Sequence, residues 1–259
     1  MFSTKTIELK SPKEIGAMRE AGRIVADTLV LLSAAAKAGV TTLELDRLAQ
    51  AELSRRGAKP AFLGYRGFPA SLCVSINSEV VHGIPSAKRK INDGDLVSLD
   101  FGCVVRGFFA DAAVTVAVGA ATPQARRLIE VTKQSLEKGI SAMRADARLG
   151  DVSAAVQGHV EAAGFSVVRD FVGHGIGRAL HEDPPVPNYG KSGTGLRLAA
   201  GMVLAIEPMV NMGACEVDTL EDGWTAVTRD ASLSAHFEHT VAIQNDGPEI
   251  LTLPSSGKA

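Results

Sequence analysis

One motif occurs twice in this chain and limits its folding more than any other feature. Gly94-Asp-Leu-Val-Ser-Leu-Asp100 and Gly201-Met-Val-Leu-Ala-Ile-Glu207 each run from a glycine through an apolar strand to a carboxylate six residues on. Each has a companion. Asp111 precedes Val114–Val118 by three residues, and Glu238 precedes Val241–Ile243 by three. His82 lies 18 residues before Asp100, while His174 and His181 lie 33 and 26 before Glu207.

The segments upstream repeat as well. Ser11-Pro12 supplies a cap and a first-turn proline for a helix carrying Ile15, Met18, Ala21, Gly22, Val25, Leu29 and Leu32, with Gly39 as its stop. A second helix spans Thr42–Arg56 and ends at Gly57. Strands are expected at Leu72–Ile76, Glu79–Val81, Leu96–Phe101 and Phe108–Val118. Thr122-Pro123 then opens a helix with Leu128, Ile129, Leu136 and Ile140, and another runs from Asp151 to Ala163. Strands follow at Phe165–Val172, Met202–Met209 and His239–Ile243. Each half therefore reads helix, helix, strand, histidine, carboxylate strand, carboxylate strand. A repeat of about 110 residues is too long for a solenoid. It suits two half-domains, 11–120 and 121–251, related by a pseudo-twofold axis that sets the carboxylate pairs face to face. No Pro-, Ser- or Gly-rich linker separates them, so one domain over 1–259 with a shared core is expected.

Composition narrows the class. The 259 residues are 46% hydrophobic and 22% charged, enough apolar material for a core and too much for a disordered chain. A net charge of −2 gives no basic excess for nucleic acid or anionic membrane. Cys73, Cys103 and Cys215 form no Cys-x-x-Cys pair, which fits a reducing compartment. No secretory leader is visible, and no apolar run reaches the ~18 residues of a membrane span. The expectation is a soluble cytoplasmic protein.

The chemistry lies in the repeated carboxylates. Asp100 and Glu207 sit in VSLDFG and VLAIEP, where the preceding run is apolar on both faces and so buried. Several buried carboxylates need a counter-charge, and no lysine or arginine adjoins these two. Metal cations supply it most simply. Of six histidines, His174 lies between glycines in FVGHGIG, His181 in LHEDPP and His82 in VVHGIP, all at Gly- or Pro-rich turns. His159 reads as structural or solvated, and His236 and His239 as supports flanking Glu238. Four carboxylates with one imidazole are too oxygen-rich for a structural zinc site. They suit a pair of divalent ions such as Mn, Fe or Co, with Zn compatible, and metal-assisted hydrolysis. No phosphate loop or Gly-x-Ser-x-Gly elbow is present, and FVGHGIG matches a dinucleotide fingerprint only loosely.

VVHGIP, SLDFG, ADAAVT, GHGIGRALHEDP, AIEPM and HFEHT occur together, in that order, between Ser11 and Leu251. In this the chain resembles the type I methionine aminopeptidases, which have the pita-bread fold: α+β, with pseudo-twofold half-domains and an antiparallel sheet covered by helices. The resemblance implies a metal-dependent aminopeptidase that removes the initiator methionine from nascent proteins when the second residue is small. It implies two divalent ions (Co, Mn, Fe or Zn). Asp100 would bind one ion, Asp111 and Glu238 would bridge both, and His174 and Glu207 would complete the other. A bridging water would attack the scissile carbonyl with Glu207 as general base. His181 would stabilise the oxyanion, and His82 would hold the scissile amide or departing amine. Tyr65, Phe68, Cys73, His82, His181 and Trp224 would bind the substrate, with Phe62 and Leu180 nearby.

Where many relatives read Cys-Leu-Gly-Tyr-x-Gly-Tyr-Pro, this chain has Phe62-Leu-Gly-Tyr65-Arg-Gly-Phe68-Pro69, and Leu180 replaces a common phenylalanine. Glu216, Asp218, Glu221 and Asp222 stand where bacterial relatives often carry lysines. By resemblance the partners are the N-termini of nascent chains and the ribosome near its exit tunnel. No membrane or nucleic-acid specificity is implied, and the enzyme would be a monomer. The alternatives are an Xaa-Pro-type peptidase of the same fold, or a binding protein that kept the fold without catalysis.

Overall fold

The computed structural model describes residues 7–255. The first half contains α1 (Pro12–Ala35), α2 (Thr42–Arg56), β1 (Lys59–Pro60), β2 (Leu72–Ile76), β3 (Glu79–Val81), β4 (Leu96–Val105) and β5 (Phe108–Ala117). The second half opens with α3 (Pro123–Ala142) and α4 (Leu149–Ala162). Then come β6 (Ser166–Val167), β7 (Gly173–Gly175), β8 (Glu182–Val186), β9 (Val203–Ile206) and β10 (Met209–Asn211). The chain closes with β11 (Val217–Thr219), β12 (Ala226–Thr228), β13 (Ser234–His236), β14 (Glu238–Gln244) and β15 (Gly247–Ile250).

The helix starts follow local chemistry. At α1 the Ser11 hydroxyl accepts from the Glu14 N–H while the Glu14 carboxylate accepts from the Ser11 N–H at 2.7 Å, with Pro12 in the first turn. Thr41 and Glu44 repeat the device at α2. The α1 helix stops at Ala35, short of Gly39. The fourth helix starts at Leu149, so Asp151 lies inside its first turn and accepts from the Arg148 N–H at 2.8 Å.

One antiparallel sheet has the order β1-β4-β5-β14-β9-β7-β8, with β2 also paired to β4 and β15 to β14. Two small sheets, β13-β10-β6 and β11-β12-β3, complete the β structure among the described residues. The large sheet's two faces differ, as period-2 alternation requires. Val97, Leu99, Phe101, Cys103, Ala110 and Ala112 face α1 and α2, packing on Val25, Leu29, Leu45 and Ala49. Leu204, Ile206, Val241 and Ile243 face α3 and α4, packing on Leu136, Ile140, Leu149 and Val152. The same helix-pair-on-strand-pair relation thus occurs in both halves, which is the duplication read from the sequence. The opposite face carries Ser98, Asp100, Asp111, Glu238, Thr240 and Ala205.

Some expected elements differ. The run Met202–Met209 is not one strand. Pro208 cannot donate to a ladder, so the chain leaves the large sheet after β9 and re-enters a different sheet as β10. The expected Phe165–Val172 strand shrinks to Ser166–Val167, and the short β1, β7, β8, β11, β12, β13 and β15 carried too few residues for a period to register. Asp100 lies well inside a ten-residue strand rather than near its end, because β4 continues past Phe101 to a two-residue turn at Arg106-Gly107.

Candidate metal centre

Register places the five expected ligands. Asp100 pairs with Ala113 across β4 and β5, and Gly102 pairs with Asp111, so the two aspartates lie diagonally on one face. Glu238 also pairs with Ala113, from the other side of β5. On β9, Ala205 pairs with His174 of β7, and Glu207 lies two residues on, on the same face. Three adjacent strands of the large sheet, β4, β5 and β14, then β7 on the far side of β9, and the residue just past β9 therefore each contribute one donor. Ala113 and Ala205 stand among these donors with methyl groups only, which keeps the centre open.

The atoms converge. One oxygen of Asp111, one oxygen of Glu238 and a ring nitrogen of His174 lie within 4.8 Å of one another. His174 Nε2 is 3.6 Å from Asp111 Oδ2 and 3.5 Å from Glu207 Oε1. His174 Nδ1 lies 2.9 Å from the Gly175 carbonyl, which accepts the ring N–H and leaves Nε2 as a lone-pair donor toward the carboxylates. The glycines beside His174 are there for backbone contact: a Cβ at Gly173 would lie 2.3 Å from Ala205 O, and one at Gly175 2.3 Å from Asp183 O.

Burial pushes the carboxyls of Asp100, Glu207 and Glu238 well above the usual carboxylate range, and each is raised further by its acidic neighbours. Asp111 moves up by burial too, held back by His174 and by the Thr240 hydroxyl. The Asp100 Oδ1 atom is buried with no hydrogen-bond partner. An orphaned acceptor beside three more carboxylates, two of them buried, and one imidazole lone pair is a donor set for hard-to-intermediate divalent cations, and the residues fit them.

All eleven expected site residues line one cavity of about 140 Å³, against the ~15 Å³ that one water needs on the same measure. Phe62, Leu180 and Arg66 line it as well. Cys73 pairs with Asp100, so its thiol shares the metal face, and burial holds it protonated. The Phe68 ring meets Trp224 edge-on at 5.2 Å. His181 is sandwiched, with Tyr65 stacked at 5.2 Å and His174 at 4.1 Å between ring centres. Burial, helped by His174 and Arg66, drives its pKa down to about 3, so the ring is neutral at physiological pH. His82, at φ 61°, meets Trp224 and Phe171 edge-on and is also pushed toward neutrality by burial.

Several contributors had no clear sequence signal. Arg66 reaches the cavity rim with its guanidinium 5.3 Å from the Tyr65 ring centre. Thr240, two residues past Glu238 on the same face, accepts from the Asp111 N–H at 3.1 Å and lies 3.1 Å from Oδ1. His236 Nε2 is 3.9 Å from Glu207 Oε2, beyond hydrogen-bond reach, and is buried with no hydrogen-bond partner among the described residues. His239 turns away, to Thr252 at 2.9 Å.

The model of metallopeptidase family M24 matches residues 16–245. A methionine aminopeptidase of Clostridium perfringens is 56% identical over 247 residues, covering 95% of this chain and 99% of that one. One of Bacillus subtilis is 51% identical, covering 94% and 98%. The crystal structure of methionine aminopeptidase from Thermotoga maritima superposes with a TM-score of 0.95 at 48% identity, over 96% of this chain and all of that one. A prolidase from Pyrococcus horikoshii reaches 0.77 at 22% identity and shares the fold, with this chain covering 64% of it.

Proposed function

The chain belongs to metallopeptidase family M24, and from that premise we propose that it is a metal-dependent aminopeptidase removing N-terminal methionine from nascent proteins whose second residue is small. The observation that carries this reading is the convergence of five donors from one sheet face beside an aromatic and sulfur-lined cavity. Asp100, Asp111, His174, Glu207 and Glu238 would hold two divalent ions. When bound, such ions polarise a carbonyl and make water nucleophilic at neutral pH.

The chain's own groups do the rest. Tyr65, Phe68, Cys73, Trp224 and, beside them, Phe62 and Leu180 take a thioether side chain, which aromatic faces and soft sulfur suit. The free α-amine would bind at the ions these residues hold, which restricts cleavage to the chain terminus. Glu207 takes a proton from the attacking water. Neutral His181 donates a ring N–H to the oxygen that gains charge. His82 holds the scissile amide and then the departing amine. Residues 1–259 would form one catalytic domain, and the enzyme would be a cytoplasmic monomer acting near the ribosome exit. Among the described residues no helix is long and apolar enough to cross a membrane.

The test is protein stripped of metal, reloaded with Mn, Co, Fe or Zn, and given Met-Ala-Ser and Ala-Pro peptides. Methionine release from the first alone is expected. No methionine release with any metal sinks the proposal, and cleavage of Ala-Pro peptides instead points to an Xaa-Pro enzyme. Asp111→Asn and Glu238→Gln should each lose both metal and turnover.

A further inference from the structure

The chain that enters α1 grips the loop carrying His181. Lys10 is the centre of this grip. Its side chain is 1% exposed, and its ammonium lies 2.7 Å from Glu182 Oε2, 3.5 Å from Glu8 Oε2 and 3.3 Å from the Glu8 carbonyl. Glu182 directly follows His181. Its other oxygen accepts the backbone N–H groups of Arg178 at 2.7 Å and Ala179 at 3.1 Å, which folds residues 178–182 into a closed turn with His181 inside it. The stem of Lys10 presses on the start of this loop, since a Cβ at Gly177 would lie 2.1 Å from Lys10 Cε. The Lys10 backbone N–H donates to the Gly201 carbonyl at 2.7 Å, at the head of the segment leading to Glu207.

A buried ion pair is poor value for stability alone, because an apolar pair of the same volume often stabilises as well or better. What the pair does supply is a defined position. Glu182 bridges Lys10 and the turn, one carboxylate oxygen meeting the Lys10 ammonium at 2.7 Å and the other gathering the Arg178 and Ala179 N–H groups. His181 has little latitude, stacked on Tyr65 at 5.2 Å and against His174 at 4.1 Å.

We propose that Lys10, through Glu182, is a positioning residue for His181, setting where that ring's N–H points in the reaction. This rests on the role given to His181 above. In metal-loaded enzyme, Lys10→Met should lower kcat on Met-Ala-Ser by about 10- to 100-fold, the cost of an ångström-scale misplacement, with KM held within about two-fold. In a His181→Ala background the same substitution should have no further effect on kcat, since a residue acting only through another shows full coupling. Lys10→Arg should recover most of the loss. In histidine-labelled protein, the His181 ring resonances should shift in Lys10→Met while those of His159 stay in place. Glu182→Gln carries the same comparisons if Lys10→Met fails to fold. An undiminished kcat loss in the His181→Ala background, or unmoved His181 resonances, overturns the inference. A wild-type protein that releases no methionine overturns the proposed function only, because the resonances still decide the positioning.

Discussion

Single atoms decide whether the centre can hold cations. The Thr240 hydroxyl is the sharpest case, since it contacts the Asp111 backbone on both sides, accepting at 3.1 Å and lying 2.8 Å from the carbonyl. It also lies 3.1 Å from Oδ1, so it orients the Asp111 carboxylate. Thr240→Val keeps the shape and removes these bonds. It should weaken binding of Mn or Co by about 10- to 100-fold, as loss of a ligand's supporting hydrogen bond does elsewhere, read by titration calorimetry. His181 was legible in the sequence because Gly and Pro bracket it. Thr240 was not, because a threonine in a strand is ordinary until the neighbouring strand is known.

At the scale of elements, an ionic clasp ties α2 to α1. Glu52 accepts from Arg55 Nη2 at 2.6 Å and from Arg56 Nε at 2.6 Å, and Arg56 reaches Asp27 of α1 at 3.0 Å. The Arg55 hydrogen bond leads in pulling the Glu52 carboxyl from an ordinary 4.5 to about 2, with Arg56 adding to it. A lowered folded-state pKa contributes stability that is present above pH 4.5 and lost as pH falls toward 2. Glu52→Gln should therefore destabilise the protein at pH 7 by about 1–2 kcal/mol, discounting for solvent screening of the outer guanidinium, and by almost nothing near pH 2. Denaturant melts at both values check this. A cap and a long period coincide at α2, which falls on its expected residues, and the short β2 and β3 fall on theirs as well. The seven strands missed have two to five residues, and their pairing partners, not their own periodicity, make them strands.

At the scale of the whole molecule, four raised carboxyls meet on one face. In protein stripped of divalent ions, the folded state keeps protons there that the unfolded chain has released above about pH 4.5. The folded state then binds more protons, and its stability falls as pH rises through this range. Cations displace those protons, so the gain in Tm on adding Mn or Co should be larger at pH 8 than at pH 5.5. At a hundredfold excess over Kd the ligand term is ~2.7 kcal/mol, or about 5–10 °C for a chain of this size. A gain that shrinks with rising pH would contradict the carboxylate account. By itself the sequence determined the duplication, the helix pairs and the acid-bearing strands, because capping, alternation and apolar runs are local and survive in one dimension; the five proposed ligands came from the family resemblance. Only the tertiary structure decided that Asp100 lies mid-strand and diagonal to Asp111, that Glu207 is freed by Pro208 at the end of β9, and that Lys10 lies against the His181 loop. Those depend on register and on contacts between residues up to 172 positions apart, where chain order carries no distance.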